Sequence, residues 1–260
     1  SNQISRVHRR AYMDYIGVKR YGPDGRPCGE VRFLGLFTAE AYDEPARAVP
    51  LVRLKLANVL ARAAKTEGSH DRRRLTNILE SYPRDELFQI DENDLLTIAL
   101  GVVHLYDRPR LRLFVRRDPF DRFVSVLVYI PKDRFNAALA ERAGQILAAA
   151  WGGRVSASYP AFSEAPLART LFLVGLTPGG HAGPDLTVLE AELAEAARTW
   201  PDRFDEALRL RGGREVAHLR ARYGRAFPVG YQDQFSAGEA LADLDVIETS
   251  DWVPADATVY

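Results

Sequence analysis

The sequence has very little cysteine, methionine or lysine: it contains one cysteine and one methionine, and only four of its 35 basic residues are lysines. The single cysteine, Cys28, has no partner for an internal disulfide, which is typical of a protein from the reducing cytoplasm. The sequence also lacks an apolar run long enough to cross a bilayer and a recognisable signal peptide. We therefore expect a cytoplasmic protein without a membrane partner.

An excess of charge of either sign is missing as well, since 35 basic residues balance 35 acidic ones. A neutral chain has no general attraction to nucleic acid, so we expect no nucleic-acid partner. With 47% apolar and 27% charged residues, the composition is that of a folded globular protein. A length of 260 residues suits one large domain or two modest ones.

The motifs that mark common catalytic and cofactor sites are absent. The sequence contains no HExxH, GxSxG or CxxC motif and no phosphate-binding loop of the GxGxxG or GKT/GKS type. The histidines are spaced unlike metal ligands or a catalytic triad; they are His8, His70, His104, His181 and His218. The glycine-rich stretch TPGGHAGPD is interpreted as a connector, because Asp185 at the next helix start would repel a phosphate. We expect no catalytic, cofactor-binding or metal-binding residues in this chain.

A cluster of acidic residues raises the question of a metal or acid/base site. Residues 80–94 hold six carboxylates that could form a metal cage, act as an acid/base pair or lie at helix starts: Glu80, Asp85, Glu86, Asp91, Glu92 and Asp94. Pro83 suits a first helical turn with Ser81 as its cap, and Asp91 directly precedes an amphipathic stripe. A carboxylate at a helix start contributes about 0.3–1 kcal/mol, so we interpret the cluster as a series of helix starts.

Apolar periodicity divides the chain into four parts. They are a β-hairpin part, a helical segment, an α+β domain and a helical motif, at residues 1–45, 46–106, 107–185 and 186–260. In the first part, GPDG at 22–25 supplies the turn of a hairpin at 11–38. In the last part, Ser236 and Glu239 fit the capping box of a final helix.

The third part has the element order of a ferredoxin-like fold. Its predicted strands lie at 110–117, 123–130, 154–160 and 167–176. Between the two pairs of strands lies a helix that Lys132-Asp133 caps and Gly152-Gly153 ends. With the preceding helix at 92–106, this order predicts a split β-α-β arrangement, an α+β fold with an antiparallel sheet covered by helices.

The central strands carry apolar residues on both faces. In the strand at 123–130, one face holds Val124, Val126, Val128 and Ile130, and the other holds Phe123, Ser125, Leu127 and Tyr129. A sheet with one face in water alternates apolar and polar residues. The local helices can cover one face, so the other is predicted to meet another domain, another subunit or the amino-terminal segment.

The most site-like polar cluster lies at the turn between the first two of these strands. The candidate docking residues there are Arg116, Arg117, Asp118 and Arg122. Such a turn is either solvated, with local ion pairs that contribute little, or a surface that docks on an acidic patch of a neighbouring domain.

The ferredoxin-like order also raises the hypothesis of an RNA-binding module. An RNA-recognition strand carries the run K/R-G-F/Y-G/A-F-V-x-F/Y. The stretch RFVSV at 122–126 lacks the glycine and the paired stacking aromatics of that run. Two further hypotheses are a general protein-interaction module with no enzyme attached and an enzyme assembled from the scattered histidines and acids.

Three long stretches are distinctive in combination: YMDYIGVKRYGPDGRPCGEVRFLGLFT, NILESYPRDELFQID and LRLFVRRDPFDRFVSVLVYIPKDRFN. Together they resemble the amino-terminal regulatory region of the large bacterial NAD-dependent glutamate dehydrogenases, and the resemblance continues through SASYPAFSEAPLART. It implies a parent enzyme that interconverts glutamate and 2-oxoglutarate with NAD and ammonia as a homo-oligomer. Residues 11–38 resemble the closing hairpin of a PAS-like module, and residues 107–185 resemble an ACT-like domain.

The family's dinucleotide-binding fingerprint and substrate-binding lysines have no counterpart in this sequence. The resemblance therefore implies no catalytic residue and no cofactor in this fragment, and assigns NAD to the catalytic part of the parent. The implied partners are other domains and subunits of the parent homo-oligomer, with an amino acid as the effector such a domain can bind. The resulting hypothesis is a non-catalytic regulatory and assembly fragment.

Overall fold

The computed structural model describes residues 5–7, 13–63, 69–163, 165–177, 183–213 and 215–249. The chain divides into two compact units, Ser1–Asp107 and Arg108–Tyr260, and each is described by itself. Within the described ranges, no helix combines the length and the apolar character needed to span a membrane.

A two-stranded hairpin is the first regular element of the first unit. Strand β1 (Asp14–Tyr21) pairs antiparallel with β2 (Pro27–Gly35), which confirms the predicted hairpin. At its turn, Gly25 has a φ of 72°, a left-handed conformation that glycine adopts without steric cost. Cys28 lies on β2 and is exposed to solvent.

The other regular elements described in the first unit are helical. They are α1 (Glu40–Asp43), a single 3-10 turn (Ala46–Ala48), α2 (Val52–Ala63), α3 (Ser69–Glu80), α4 (Arg84–Gln89) and α5 (Glu92–Asp107). Helices α2, α3 and α5 pack against one another through apolar stripes. The Lys55 ammonium on α2 donates to the carbonyls of Leu87 and Ile90 at 2.7 and 2.6 Å, so it satisfies the carboxyl end of α4.

A four-stranded antiparallel sheet is the centre of the second unit. Its elements are β3 (Arg112–Arg117), β4 (Phe123–Pro131), α6 (Ala137–Ala150), β5 (Arg154–Ala161) and β6 (Leu167–Gly175). The spatial order β3-β4-β6-β5 places β6 between β4 and β5, the two strands that α6 connects. This is a split β-α-β arrangement, and it confirms the predicted ferredoxin-like α+β fold.

The second helix on this sheet is α7 (Leu186–Ala196), whereas the prediction assigned that role to the helix at 92–106. Helix α7 packs on α6, and its Leu189 and Leu193 join the core formed by α6 and the sheet. The helix at 92–106 is α5, which packs on α2 and α3. The prediction was wrong because periodicity shows which face of a helix is apolar but not which partner covers that face.

The strand order is therefore a circular permutation of the usual β-α-β-β-α-β order. In the usual order, the second helix leads into the last strand, which forms one edge of the sheet. Here the strand at that edge is β3, which pairs with β4 and comes first in the chain. The Glu190 carboxylate on α7 accepts from the Arg112 guanidinium at 3.0 Å and from the Leu113 amide at 3.4 Å. These bonds hold α7 to β3 without a chain connection.

Two predicted helix caps differ from the structure. Asn136, not Lys132-Asp133, caps α6, and its side chain accepts from the Leu139 amide at 2.8 Å. Ser81 does not cap α4, because its hydroxyl donates to the Ile78 carbonyl at the end of α3. In both cases the cap lies a few residues after the predicted one. The sequence could not place it because several nearby residues are compatible with a helix start.

In the described part of the chain, four helices follow α7 and have a core of their own. They are α8 (Trp200–Arg211), α9 (Val216–Tyr223), α10 (Val229–Gln234) and α11 (Ala237–Thr249), of which α10 was not predicted. The fully buried side chains of this core include Phe204, Leu208 and Leu244. The capping box that opens α11 is confirmed, since Ser236 and Glu239 each accept from the other's amide, at 3.3 and 2.7 Å.

Candidate functional site

The acidic cluster of residues 80–94 belongs to helix starts and to contacts between helices. The Asp91 carboxylate accepts from the amides of Asn93 and Asp94 at 2.7 and 2.9 Å, which confirms it as the cap of α5. The Asp94 amide bond is the main reason that the pKa of Asp91 lies below its ordinary value. A carboxylate held in this way stays ionised and caps the amino terminus of α5.

Three further carboxylates of the cluster make contacts that the sequence did not reveal. Glu80, Asp85 and Glu92 accept, in that order, from the Ala46 amide, the Tyr42 hydroxyl and the Asn58 side-chain amide, at 2.8, 2.8 and 2.9 Å. Among the described residues there is no group of three or more histidine, cysteine, aspartate or glutamate side chains that could hold a metal ion.

The histidines are dispersed where the structure describes them. His104 lies near the end of α5 in the first unit, and His218 is exposed on α9 in the second. His8, His181 and the side chain of His70 lie outside the described residues.

The turn between β3 and β4 holds a hydrogen-bonded polar cluster of the second unit. The Asp118 carboxylate is buried and accepts from the Nε and terminal nitrogen of Arg122 at 2.8 and 2.9 Å. It also accepts from the amides of Phe120 and Arg122, both at 3.2 Å. A carboxylate with four such bonds fixes the shape of the turn.

The electrostatics of this turn favour the ion pair. Burial by itself would raise the pKa of Asp118, but the hydrogen bonds and charge of Arg122 outweigh burial and hold that pKa below its ordinary value. The Asp118 bond in turn raises the pKa of Arg122. Arg117 pairs with Asp121 at 2.6 Å in solvent, so its contribution is small.

The predicted docking residues thus have different positions in the turn. Asp118 and Arg116 are buried, Arg122 is half-buried and Arg117 is exposed on the outside. Sequence reasoning missed Phe120, which is 77% exposed at the tip. The Arg122 guanidinium lies 5.2 Å from the centre of the Phe120 ring, close enough for a cation–π contact.

The turn combines an exposed aromatic ring with arginine side chains. The ring lies on a backbone that the buried Asp118 carboxylate holds in place through its hydrogen bonds. Aromatic residues are enriched among the side chains that contribute most to binding at protein interfaces. An aromatic residue at the tip of an arginine-rich turn was the sequence signal for this feature.

Strand β4 is buried on both faces, as predicted. On one face, Val124, Val126, Val128 and Ile130 join the core formed with α6 and α7. On the other, Ser125, Leu127 and Tyr129 are no more than 4% exposed. Leu171 of β6 lies on that second face and is also buried. Neither face of the central strands is open to solvent.

The hairpin of the first unit, in contrast, has an exposed apolar face. Ile16 lies opposite Phe33 and Val18 lies opposite Val31, and each of these side chains is at least 41% exposed. A two-stranded hairpin is marginally stable by itself in water, so such a face is expected to pack against another surface.

Comparison with known domain families assigns most of the chain to consecutive parts of one kind of enzyme. The family described as glutamate dehydrogenase, helical motif 1 matches residues 49–108, the glutamate dehydrogenase ACT2 domain matches 112–201, and helical motif 2 matches 206–249. The fold and these matches define the class: an ACT-type α+β domain flanked by two helical motifs.

Whole-length relatives narrow this class to a family. The chain is similar to the NAD-specific glutamate dehydrogenases of Halomonas elongata, with 39% identity over 98% of the chain, and Pseudomonas aeruginosa, with 33% identity over 92%. It is also similar to that of Mycobacterium tuberculosis, with 34% identity over 91% of the chain. The chain spans 15–16% of the length of these relatives. It belongs to the NAD-specific glutamate dehydrogenase family, as part of the amino-terminal region.

Proposed function

We propose that this chain is the non-catalytic regulatory and assembly segment of a bacterial, cytoplasmic, NAD-dependent glutamate dehydrogenase. The parent reaction converts L-glutamate, NAD and water to 2-oxoglutarate, ammonia and NADH. The observation that carries this proposal is the run of three matches, none of them to a catalytic domain, across residues 49–249. NAD binds in the parent's catalytic part.

The segment has four parts with distinct roles. Residues 1–45 end a PAS-like module, and the apolar face of the β1–β2 hairpin packs on the rest of that module. Residues 46–106 are a helical spacer, and an ACT-like domain begins at residue 107. The predicted boundary at 185 is extended through α7 in this proposal, because Leu189 and Leu193 complete the core of the sheet.

Assembly depends on the ACT-like domain. Both faces of β4 are buried, so this central strand is a packing layer, whereas the edge strand β5 is largely exposed. The β3–β4 turn is an exposed surface at one end of the sheet, where Phe120 projects and the exposed Arg117, already paired with Asp121, can also face an acidic patch on a neighbouring domain or subunit. Docking of this turn within the parent homo-oligomer is the assembly role.

Regulation follows from the same contacts. An amino-acid effector that binds one arrangement of the docked domains more tightly than another shifts the population toward that arrangement. The segment thus transmits effector binding to a catalytic part that it does not itself contain.

The test uses the full-length dehydrogenase that contains this chain. Phe120→Ala is expected to weaken oligomer assembly, measured by light scattering on a sizing column. The matched control is Phe162→Ala, which removes a ring that is 62% exposed at the other end of the sheet. Equal behaviour of the two variants would remove the β3–β4 turn from the assembly role.

A second measurement addresses the non-catalytic assignment. The isolated chain is expected to form no NADH when supplied with glutamate and NAD, measured by absorbance. Turnover by the chain alone would contradict the proposal directly. Calorimetric titration of the chain with amino acids then tests for the effector, and silence for every amino acid would leave assembly as the sole role.

A further inference from the structure

A groove in the second unit, between α8 and α9, is lined by four arginines together with small residues. Its volume is about 860 Å³, within the range of small-molecule sites. Arg209, Arg220, Arg222 and Arg225 line it, and small apolar residues of α9 form part of its wall. Asp205 carries the one carboxylate among the described lining residues.

Two of these arginines already have acidic partners. Arg220 pairs with Asp205, and Arg222 pairs with Glu248 at 3.0 Å. Within the described ranges, Arg209 and Arg225 make no ion pair; the Arg209 Nε only donates to the Asp205 carbonyl, at 3.4 Å. The groove therefore carries surplus positive charge in a chain whose net charge is zero.

The fold accounts for only part of this surplus. A helix dipole favours arginine in the last turn, which explains Arg209 on α8 and Arg220 and Arg222 on α9. It does not explain Arg225, which follows the end of α9 and is exposed. The core of these helices is apolar and needs none of the four side chains.

We propose that this groove binds a small multivalent oxyanion, such as a diphosphate, a triphosphate or a tricarboxylate. Guanidinium groups donate pairs of hydrogen bonds to the oxygens of phosphate and carboxylate groups. The groove has room for a ligand larger than orthophosphate, and a ligand with two or more anionic groups matches the several arginines that line it. The site lies in the helical motif, apart from the β3–β4 turn.

Isothermal titration of the chain with inorganic pyrophosphate at low salt tests the proposal. We expect saturable binding at one site, and at least tenfold weaker binding of orthophosphate. Arg209→Gln and Arg225→Gln are each expected to weaken pyrophosphate binding about fivefold or more. Because neither side chain holds an ion pair in the described part of the chain, both variants are expected to fold, which circular dichroism verifies.

Arg203→Gln is the matched control. It removes the same charge from an exposed position on α8 that does not line the groove, and it is expected to change affinity less than twofold. The proposal is overturned if pyrophosphate and propane-1,2,3-tricarboxylate both fail to bind at millimolar concentration. It is also overturned if Arg203→Gln weakens binding as much as the groove variants, since binding would then reflect general surface charge.

The same titration distinguishes the two sources of oxyanion. Tighter binding of pyrophosphate than of propane-1,2,3-tricarboxylate assigns the site to a phosphate compound, and the reverse order assigns it to a polycarboxylate. Either order of affinity supports the site, provided that Arg209→Gln and Arg225→Gln weaken binding of the preferred ligand.

Discussion

The carboxylate of Asp118 accepts two hydrogen bonds from the guanidinium of Arg122, at 2.8 and 2.9 Å, across the turn between β3 and β4. Asp118 is 2% exposed, so its carboxylate is largely removed from water. The same carboxylate accepts two backbone amides, and the pair therefore shapes the backbone that carries Phe120.

Replacing this carboxylate tests how far the pair stabilises the domain. Asp118→Asn keeps the shape but loses the charge, and hydrogen bonds to a charged group contribute about 1.5–3 kcal/mol. We expect a loss of that size in the free energy of unfolding, measured with urea. Asp121→Asn, which breaks the exposed pair with Arg117, should cost less than about 1 kcal/mol. Equal losses would show that burial of Asp118 has no energetic effect.

The cap of α5 predicts a pH dependence. The pKa of Asp91 lies below its ordinary value, mainly because of the Asp94 amide bond, and an unfolded aspartate titrates near pH 3.9. The stabilisation by Asp91 is therefore present above about pH 4 and is lost as the pH falls through the lowered pKa of the folded state.

Asp91→Asn isolates this contribution, because asparagine keeps an oxygen that can cap the helix but has no charge to titrate. The melting temperature of the variant should fall less steeply than that of the original chain between about pH 5 and pH 2. Glu141→Gln, at an exposed position on α6, is the control and should leave the slope unchanged. If the melting temperature of Asp91→Asn fell with pH as steeply as that of the original chain, the stabilising role of the Asp91 charge at the start of α5 would be contradicted.

Glu190 provides a test of the contact between α7 and β3, two elements that the chain does not connect directly. Glu190→Ala removes the acceptor of the Leu113 amide, and a lost hydrogen bond of about 1 kcal/mol corresponds to roughly fivefold faster amide exchange. Hydrogen exchange at Leu113, followed by NMR, measures this. Glu192→Ala, on the exposed side of the same helix, should leave that amide protected.

Gly153 marks a close approach of two backbone segments. A Cβ at this position would collide with the carbonyl oxygen of Gly175, which is backbone and cannot rotate away. Gly153→Ala should therefore lower the free energy of unfolding by about 1–3 kcal/mol or more, as overpacking does.

Gly29→Ala is the comparison for Gly153→Ala. A Cβ at Gly29 meets no atom within 4 Å, and glycine in a strand is less favourable than alanine by about 0.5–1 kcal/mol. Thermal melts should therefore show Gly29→Ala unchanged or slightly stabilised. If Gly153→Ala were as stable as Gly29→Ala, the contact between the two backbone segments would be looser than the structure shows.

Local features were predictable where neighbouring residues decide them. Asp91, Asp185 and Ser236 cap the helices that follow them, because a short polar side chain satisfies the amides next to it in the chain. The β1–β2 hairpin was predictable for the same reason, since its turn composition acts over four residues. The caps of α4 and α6 were misplaced because several adjacent residues could serve.

The candidate site was only partly predictable. The cluster of charges around Asp118 is visible in the sequence, but its hydrogen bonds depend on how the chain folds back on itself at the turn. The sequence placed an aromatic residue at this turn, but only the structure showed that the Phe120 ring is exposed. The arginine groove brings residues of α8 and α9 together, and no spacing rule within either helix reveals it.

The sequence by itself determined the alternation of apolar residues on β4, and with it the requirement that both faces of that strand be covered, because side chains on a strand point to opposite faces with a period of two. Only the tertiary structure decided that α7 rather than α5 completes the sheet and that Glu190 holds the edge strand. An apolar stripe specifies that a helix must be buried, while the choice of partner depends on packing between residues far apart in the chain.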